Sequence, residues 1–496
     1  MGRRMIRGWW VVGLLLLLGG SAVRGDPAAM PVAITYPGLL PVYRAVDGVL
    51  DVTLVAAAGR QDFGPVTLDT LTYNGAYGGP VLMLHPGDLL RVKLVNHLDA
   101  PTNIHFHGIE ASPLHNGDNI YVLVAPGNEF QYELRIPLTQ PPGLYWYHSH
   151  AHGDSTRQVG AGLSGMLVVE GLADQFAPLK GVAERFFALK EISLPDSEDP
   201  VIVGYFHRRV QSINGALAVP IAMRPGETEL WGFSNQNANL AFDLQLKGHV
   251  FRIIARDGEA ATRETVTATL RIEPASRVEV LVDGGAAGEY DLVSRRVPTG
   301  HGAARKLERV LGQVIVAGTT ATAIPALVDF PQPLDLAARP VDMKRTIVFT
   351  ENADALQYFI NGRMFDHDRV DVRVPLGNVE EWTIRNDTDD LHVFHIHQVK
   401  FQVVAVNGVA QAVHDDLDTV RVPERGSVVI RMAFTDRTTL GRFVFHCHVL
   451  KHEDHGMMAV IEVYDPNLSF ARRVEGWFGD ALWSMRIWQA RCHPLV

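Results

Sequence analysis

Gly87-Asp-Leu-Leu-Arg-Val-Lys-Leu-Val-Asn96 has two counterparts in this chain, Gly226-Glu-Thr-Glu-Leu-Trp-Gly-Phe-Ser-Asn235 and Gly377-Asn-Val-Glu-Glu-Trp-Thr-Ile-Arg-Asn386. Each run follows an Asn-Gly turn, at Asn74-Gly75, Asn214-Gly215 and Asn361-Gly362. Gly and Asn stand nine residues apart in all three, so one unit is written three times. The segments between turns are short and β-branched, as in Val81-Leu-Met-Leu84, Phe251-Arg-Ile-Ile254 and Val428-Val-Ile-Arg-Met432. Many short strands punctuated by Gly and Pro predict an all-β protein built of consecutive Greek-key β-sandwiches.

A chain of 496 residues exceeds a single core and divides into domains of about 150 residues. The expected boundaries are 26–172, 173–335 and 336–465, with the second falling in a Pro-rich stretch. Residues 466–496 change character: Val474, Phe478, Leu482, Met485 and Trp488 recur at helical spacing and predict an amphipathic helix docked on its own domains. Residues 1–25 have a basic start, a short apolar run and small residues near the end, the pattern of an export signal. Arg3 and Arg4 invite a twin-arginine reading of it. The expected location is periplasmic or extracellular, and the apolar run is too short for stable membrane insertion. Without Arg3, Arg4, Arg7 and Arg24 the 45 basic residues become 41 against 55 acidic, a net charge of −14. Such a surface speaks against nucleic acid or anionic membrane as partner. The two cysteines are Cys447 and Cys492. With the first claimed by a metal, no structural disulfide is expected.

Nine residues beyond each terminal Asn stand His105-Phe-His107, Leu244-Gln-Leu246 and His395-Ile-His397. Five residues beyond a later Gly stand His148-Ser-His150, Val293-Ser-Arg295 and His446-Cys-His448. The outer copies therefore carry four phased histidines each and the middle copy none, which makes the middle domain a spacer by expectation. Side chains alternate along a strand, so Cys447 faces away from His446 and His448, and His392 faces away from His395 and His397. Residues 446–457 add His452 five places and Met457 ten places after Cys447. Two His, one Cys and a weak Met form the donor set of a blue copper site.

Four motifs now resemble those of the three-domain multicopper oxidases, the laccase-like family: His105-Phe-His-Gly108, Trp146-Tyr-His-Ser-His150, His392-Val-Phe-His-Ile-His397, and residues 446–457. The resemblance implies three cupredoxin-like domains and four copper ions. It assigns His392, Cys447, His452 and axial Met457 to a type 1 copper, and His105 and His395 to a type 2 copper. A type 3 pair would take His107, His148 and His448 on one ion and His150, His397 and His446 on the other, between domains 1 and 3. The implied reaction draws single electrons from a small phenolic or aromatic donor through Cys447 to His446 and His448, and reduces O2 to water. Oxidation of Cu(I), Fe(II) or Mn(II) is the alternative, for which Glu453 and Asp454 beside His452 are candidate ligands. A copper-free structural or cell-division protein of the same fold is a further one. Oxygen reduction consumes protons, and Asp118 is the candidate relay. Lys451 stands where some bacterial relatives carry Glu, so no relay is expected there. His152 and Met458 are expected to serve packing or solvent contact.

Overall fold

The Asn that ends each repeated run is buried, and it closes the same loop three times. Asn96 Nδ2 donates to the carbonyls of Ala100 (2.9 Å) and Val124 (2.8 Å), and its Oδ1 accepts from Leu98 N (2.8 Å). Asn235 repeats this with Leu240, Ile272 and Asn237, and Asn386 with Asp390, Pro423 and Thr388. No apolar side chain supplies both functions, which accounts for Asn at the end of an otherwise apolar strand. The Asn-Gly turns repeat as well. Asn74, Asn214 and Asn361 all adopt φ near +50°, each followed by a Gly of positive φ, as a two-residue hairpin turn demands.

The computed structural model describes residues 40–468, apart from 195, 206, 298–307 and 413. The expected export signal, Cys492 and the tail from 469 onward lie outside the described residues. No helix among the described residues is long and apolar enough to cross a membrane.

Two sheets form each sandwich. The repeated strand lies between a parallel and an antiparallel neighbour every time. Leu89–Asn96 sits between Val49–Asp62 and Glu129–Arg135, Thr228–Asn235 between Ala183–Ser193 and Arg277–Asp283, and Val379–Asn386 between Met343–Asn352 and Ser427–Ala433. In the facing sheets, Gly143–His148 pairs with His105–His107, Gly288–Ser294 with Phe242–Leu246, and Gly441–Cys447 with His392–Ile396. Each sandwich has its own apolar core. In the middle one, Leu244 and Leu246 pack with Phe242, Phe251 and Ile272.

Asn235→Ala would leave two buried carbonyls and one amide without partners. The middle domain should lose roughly 2 kcal/mol, read as a lower urea midpoint. An unchanged midpoint would contradict the role given to the repeated Asn.

Candidate metal centre

Strand pairing brings the histidines together before any side chain is considered. His105 lies opposite His148, His395 opposite His446, and Phe394 opposite Cys447. Eight imidazoles meet between domains 1 and 3, all essentially without solvent exposure. His105 stacks on His397 (ring centroids 3.6 Å) and His107 on His395 (3.8 Å), each pair taking one ring from either domain. The rings of His107, His148 and His448 form a triangle with sides of 6.0, 5.4 and 5.2 Å. His150 and His397 each bring Nε2 to 3.3 Å from Nε2 of His446.

Outer groups fix which nitrogens face inward. Nδ1 of His105 donates to Asp118 (2.9 Å), that of His148 to the Ser149 carbonyl (2.8 Å), and that of His395 to the Asp418 carbonyl (2.7 Å). With the proton held at Nδ1, Nε2 presents a lone pair to the centre. Nε2 of His105, His107, His148 and His395, and both ring nitrogens of His448, are buried with no hydrogen-bond partner. Burial, reinforced for most by neighbouring imidazoles, holds all eight neutral: His148 falls to about 3, His395 to about 4, and the other six well below the usual range. Neutral imidazoles converging lone pairs in a dry space are metal ligands in waiting, since a cation satisfies them all. This donor set fits copper.

On the other side of the same strand, His392 Nδ1 lies 3.4 Å and His452 Nδ1 3.6 Å from Cys447 Sγ, with 3.1 Å between the two nitrogens. The short helix Leu450–Asp454 carries His452. Met457 is buried in the same core as Cys447, and its backbone bonds both ligand segments: Met457 N to the His452 carbonyl, and Cys447 N to the Met457 carbonyl. Burial pushes the Cys447 thiol up to about 12 and His392 down to about 3. A thiolate here therefore needs a bound cation beside it. Thr388 Oγ1 holds His392 Nε2 at 2.9 Å. Tyr358 stacks on His452 (4.3 Å, 17°), and a cavity of about 70 Å³ between domains 2 and 3 is lined by His452, apolar Leu240, Val297 and Leu391, and polar Arg271 and Asp390.

Glu453 and Asp454 turn away from the position considered for them. Glu453 points inward, with Oε1 2.8 Å from Ser155 Oγ and 3.6 Å from His150 Nδ1, and Oε2 3.1 Å from His446 Nδ1. Asp454 accepts the backbone N–H groups of Ser155 (3.0 Å) and Thr156 (2.8 Å) at the start of the helix Ser155–Ala161. Glu453 stands two residues after Lys451, and the short helix directs it to the cluster. Asp118, beside His105, also accepts from Phe106 N (3.0 Å) and Gln398 Nε2 (2.7 Å). His152 packs between Tyr121 and Phe365, its ring 5.9 Å from that of His150. Met458 is a buried core residue. The middle domain is more than a spacer: Arg277 reaches His107, a contact that the histidine motifs do not signal.

Three family models, each described as multicopper oxidase, match residues 59–174, 193–317 and 337–467. A Staphylococcus aureus protein named multicopper oxidase mco is 27% identical over 449 residues, covering 87% of this chain and 92% of that protein. A cell division protein FtsP of Rahnella is 26% identical, over 81% of this chain and 86% of its own. Among solved structures, a Campylobacter jejuni multicopper oxidase described as a metallo-oxidase superposes with a TM-score of 0.73 at 24% identity, over 86% of this chain and 95% of its own. A laccase-like CueO from Ochrobactrum, described as having oxidase activity towards lignin model compounds and lignosulfonate, gives 0.71 at 26%, over 86% and 99%.

Cys447→Ser should abolish the intense visible absorption of the copper-loaded protein and remove one copper, leaving the histidine cluster loaded. Metal analysis beside the absorption spectrum checks this, and a persisting blue band would refute the thiolate assignment.

Proposed function

This chain belongs to the multicopper oxidase family and is a copper-dependent, oxygen-reducing enzyme, and we propose that its electrons come from small phenolic or aromatic donors taken one at a time beside His452. The convergence of eight neutral, buried imidazoles behind a His-Cys-His strand carries the reading. We assign four coppers: one to His392, Cys447, His452 and Met457, one to His105 and His395, and a pair to His107, His148, His448 and to His150, His397, His446. Domain boundaries at 26–172, 173–335 and 336–465, and export directed by residues 1–25, belong to the same proposal.

When bound, the copper ions supply single-electron uptake at the thiolate and four-electron reduction of oxygen at the imidazoles. The chain does the rest. Cys447 is joined to His446 and His448 by one peptide bond on either side, so the covalent path between the sites is short and rigid. Burial raises the Asp118 carboxyl to about 8. Glu453 is pushed well above the usual carboxylate range by burial and by Asp454. Glu453 can hold a proton at Oε2, facing His446, while Asp118 accepts the Nδ1 proton of His105. The remaining Oε2 valence favours this, since that atom makes no aligned hydrogen bond. Reduction of oxygen to water consumes four protons, and two buried acids against the histidines are suited to relay them.

The cavity beside His452 supports the aromatic donor: it brings apolar Leu240, Val297 and Leu391 up to the ring and has Arg271 and Asp390 at its polar side. Glu453 and Asp454, the acids that a metal-ion substrate would need, are both engaged elsewhere. Asp390, which lines the cavity, supports the second reading, oxidation of Cu(I), Fe(II) or Mn(II). A purely structural cell-division role in this chain would have no use for the full donor set.

Glu453→Gln should slow reoxidation of the fully reduced enzyme by oxygen by about 10²-fold, while donor reduction of the blue band in the absence of oxygen keeps its rate. Stopped-flow absorption separates the two steps, and equal rates of reoxidation would exclude Glu453 as a relay. Oxygen uptake with a panel of phenols against Cu(I), Fe(II) and Mn(II) tests the donor. Faster turnover with phenols is expected, and a preference for one metal ion would replace the aromatic reading.

A further inference from the structure

Arg277 opens the strand Arg277–Asp283 of the middle sandwich, the one without ligand histidines, and its side chain is fully buried where all three domains meet. The guanidinium uses its donors in every direction. Nε donates to the Leu144 carbonyl of domain 1 (3.2 Å), and Nη1 lies 3.1 Å from His107 Nδ1. Within its own domain, Nη1 donates to the Ala275 carbonyl (3.1 Å) and Nη2 to that of Asp257 (2.9 Å). To domain 3 it presents a fork, Nη1 to Asp418 Oδ1 (2.8 Å) and Nη2 to Oδ2 (2.7 Å). The backbone carbonyl of that same Asp418 accepts the Nδ1 proton of His395. His107 and His395 are one of the two stacked pairs that join the outer domains.

Space around the fork is reserved for it. A Cβ on Gly108, the residue after His107, would lie 2.6 Å from both Arg277 Nη2 and Asp418 Oδ2. The backbone there also has φ +85°, so two constraints select glycine at this position. A bidentate guanidinium fixes both distance and plane of its carboxylate, which a lysine ammonium cannot do.

We propose that Arg277 is a positioning residue that sets His107 and His395 relative to one another, so that the copper-free middle domain controls the geometry of the type 2 copper and its type 3 neighbour. The proposal rests on the copper assignments above. Arg277→Lys keeps the charge and loses the fork, Arg277→Met loses both, and Asp418→Asn weakens the fork from the other side.

The copper-loaded full chain is measured by paramagnetic resonance, by absorption at the blue band, and by copper retained during dialysis against a chelator. Wild-type protein without a type 2 signal would overturn the copper assignments themselves and leave a distinguishable result. With that signal present, Arg277→Lys should keep the blue band of Cys447 while type 2 copper is retained about tenfold more weakly, with altered type 2 hyperfine splitting. Asp418→Asn should shift the same signal. An Arg277→Lys protein with the wild-type type 2 spectrum and copper retention would refute the proposal. Loss of the blue and type 2 signals in parallel would also refute it, because that marks a general folding defect. Should Arg277→Met fail to accumulate, the lysine variant decides.

Discussion

Eight imidazoles that stay neutral, face one another and exclude water constitute the constraint on which the rest of this structure depends. Unpartnered buried nitrogens are costly, and proteins ordinarily remove them by substitution with apolar residues. The middle domain shows that solution, with Leu244 and Leu246 filling its core at the positions of His105, His107, His395 and His397. The outer domains retain the nitrogens, and a cation removes the cost. Metal affinity and folding stability are thereby linked, because the ligand set exists only when domains 1 and 3 are apposed.

The β-sandwich serves this end through two simple regularities. Alternation along a strand lets residues 446–448 contribute to two centres at once, with the thiol on one face and two imidazoles on the other. Repetition places equivalent strand pairs at the same height in domains 1 and 3, so His105 opposite His148 is matched by His395 opposite His446. Outer residues then hold several of the rings. Asp118, the Ser149 carbonyl and the Asp418 carbonyl take Nδ1 protons, and Arg277 contacts His107 from the middle domain.

Much of this was legible in the sequence because it obeys fixed spacings. The nine-residue step between Gly and Asn, and the nine from Asn to His, reflect strand and loop lengths that the fold cannot change without moving the ligands. Glu453 was visible as a residue but not as a direction: it lies on the helix Leu450–Asp454, where strand alternation no longer applies. Arg277 had no motif to announce it, since its long side chain crosses from a domain that lacks histidines. Tyr358 was missed for a similar reason, as its stacking on His452 joins segments nearly a hundred residues apart. Local pattern specifies ligands well, while the groups that orient them come from distant chain and require coordinates.

The donor groups place one multinuclear site between the two outer domains and a separate thiolate site beside it. Anomalous diffraction from crystals of the copper-loaded enzyme, collected on either side of the copper absorption edge, tests it most directly. Three peaks within the cage of eight histidines and a fourth beside Cys447 are predicted. Signal at Cys447 alone, with nothing in the cage, would contradict the account.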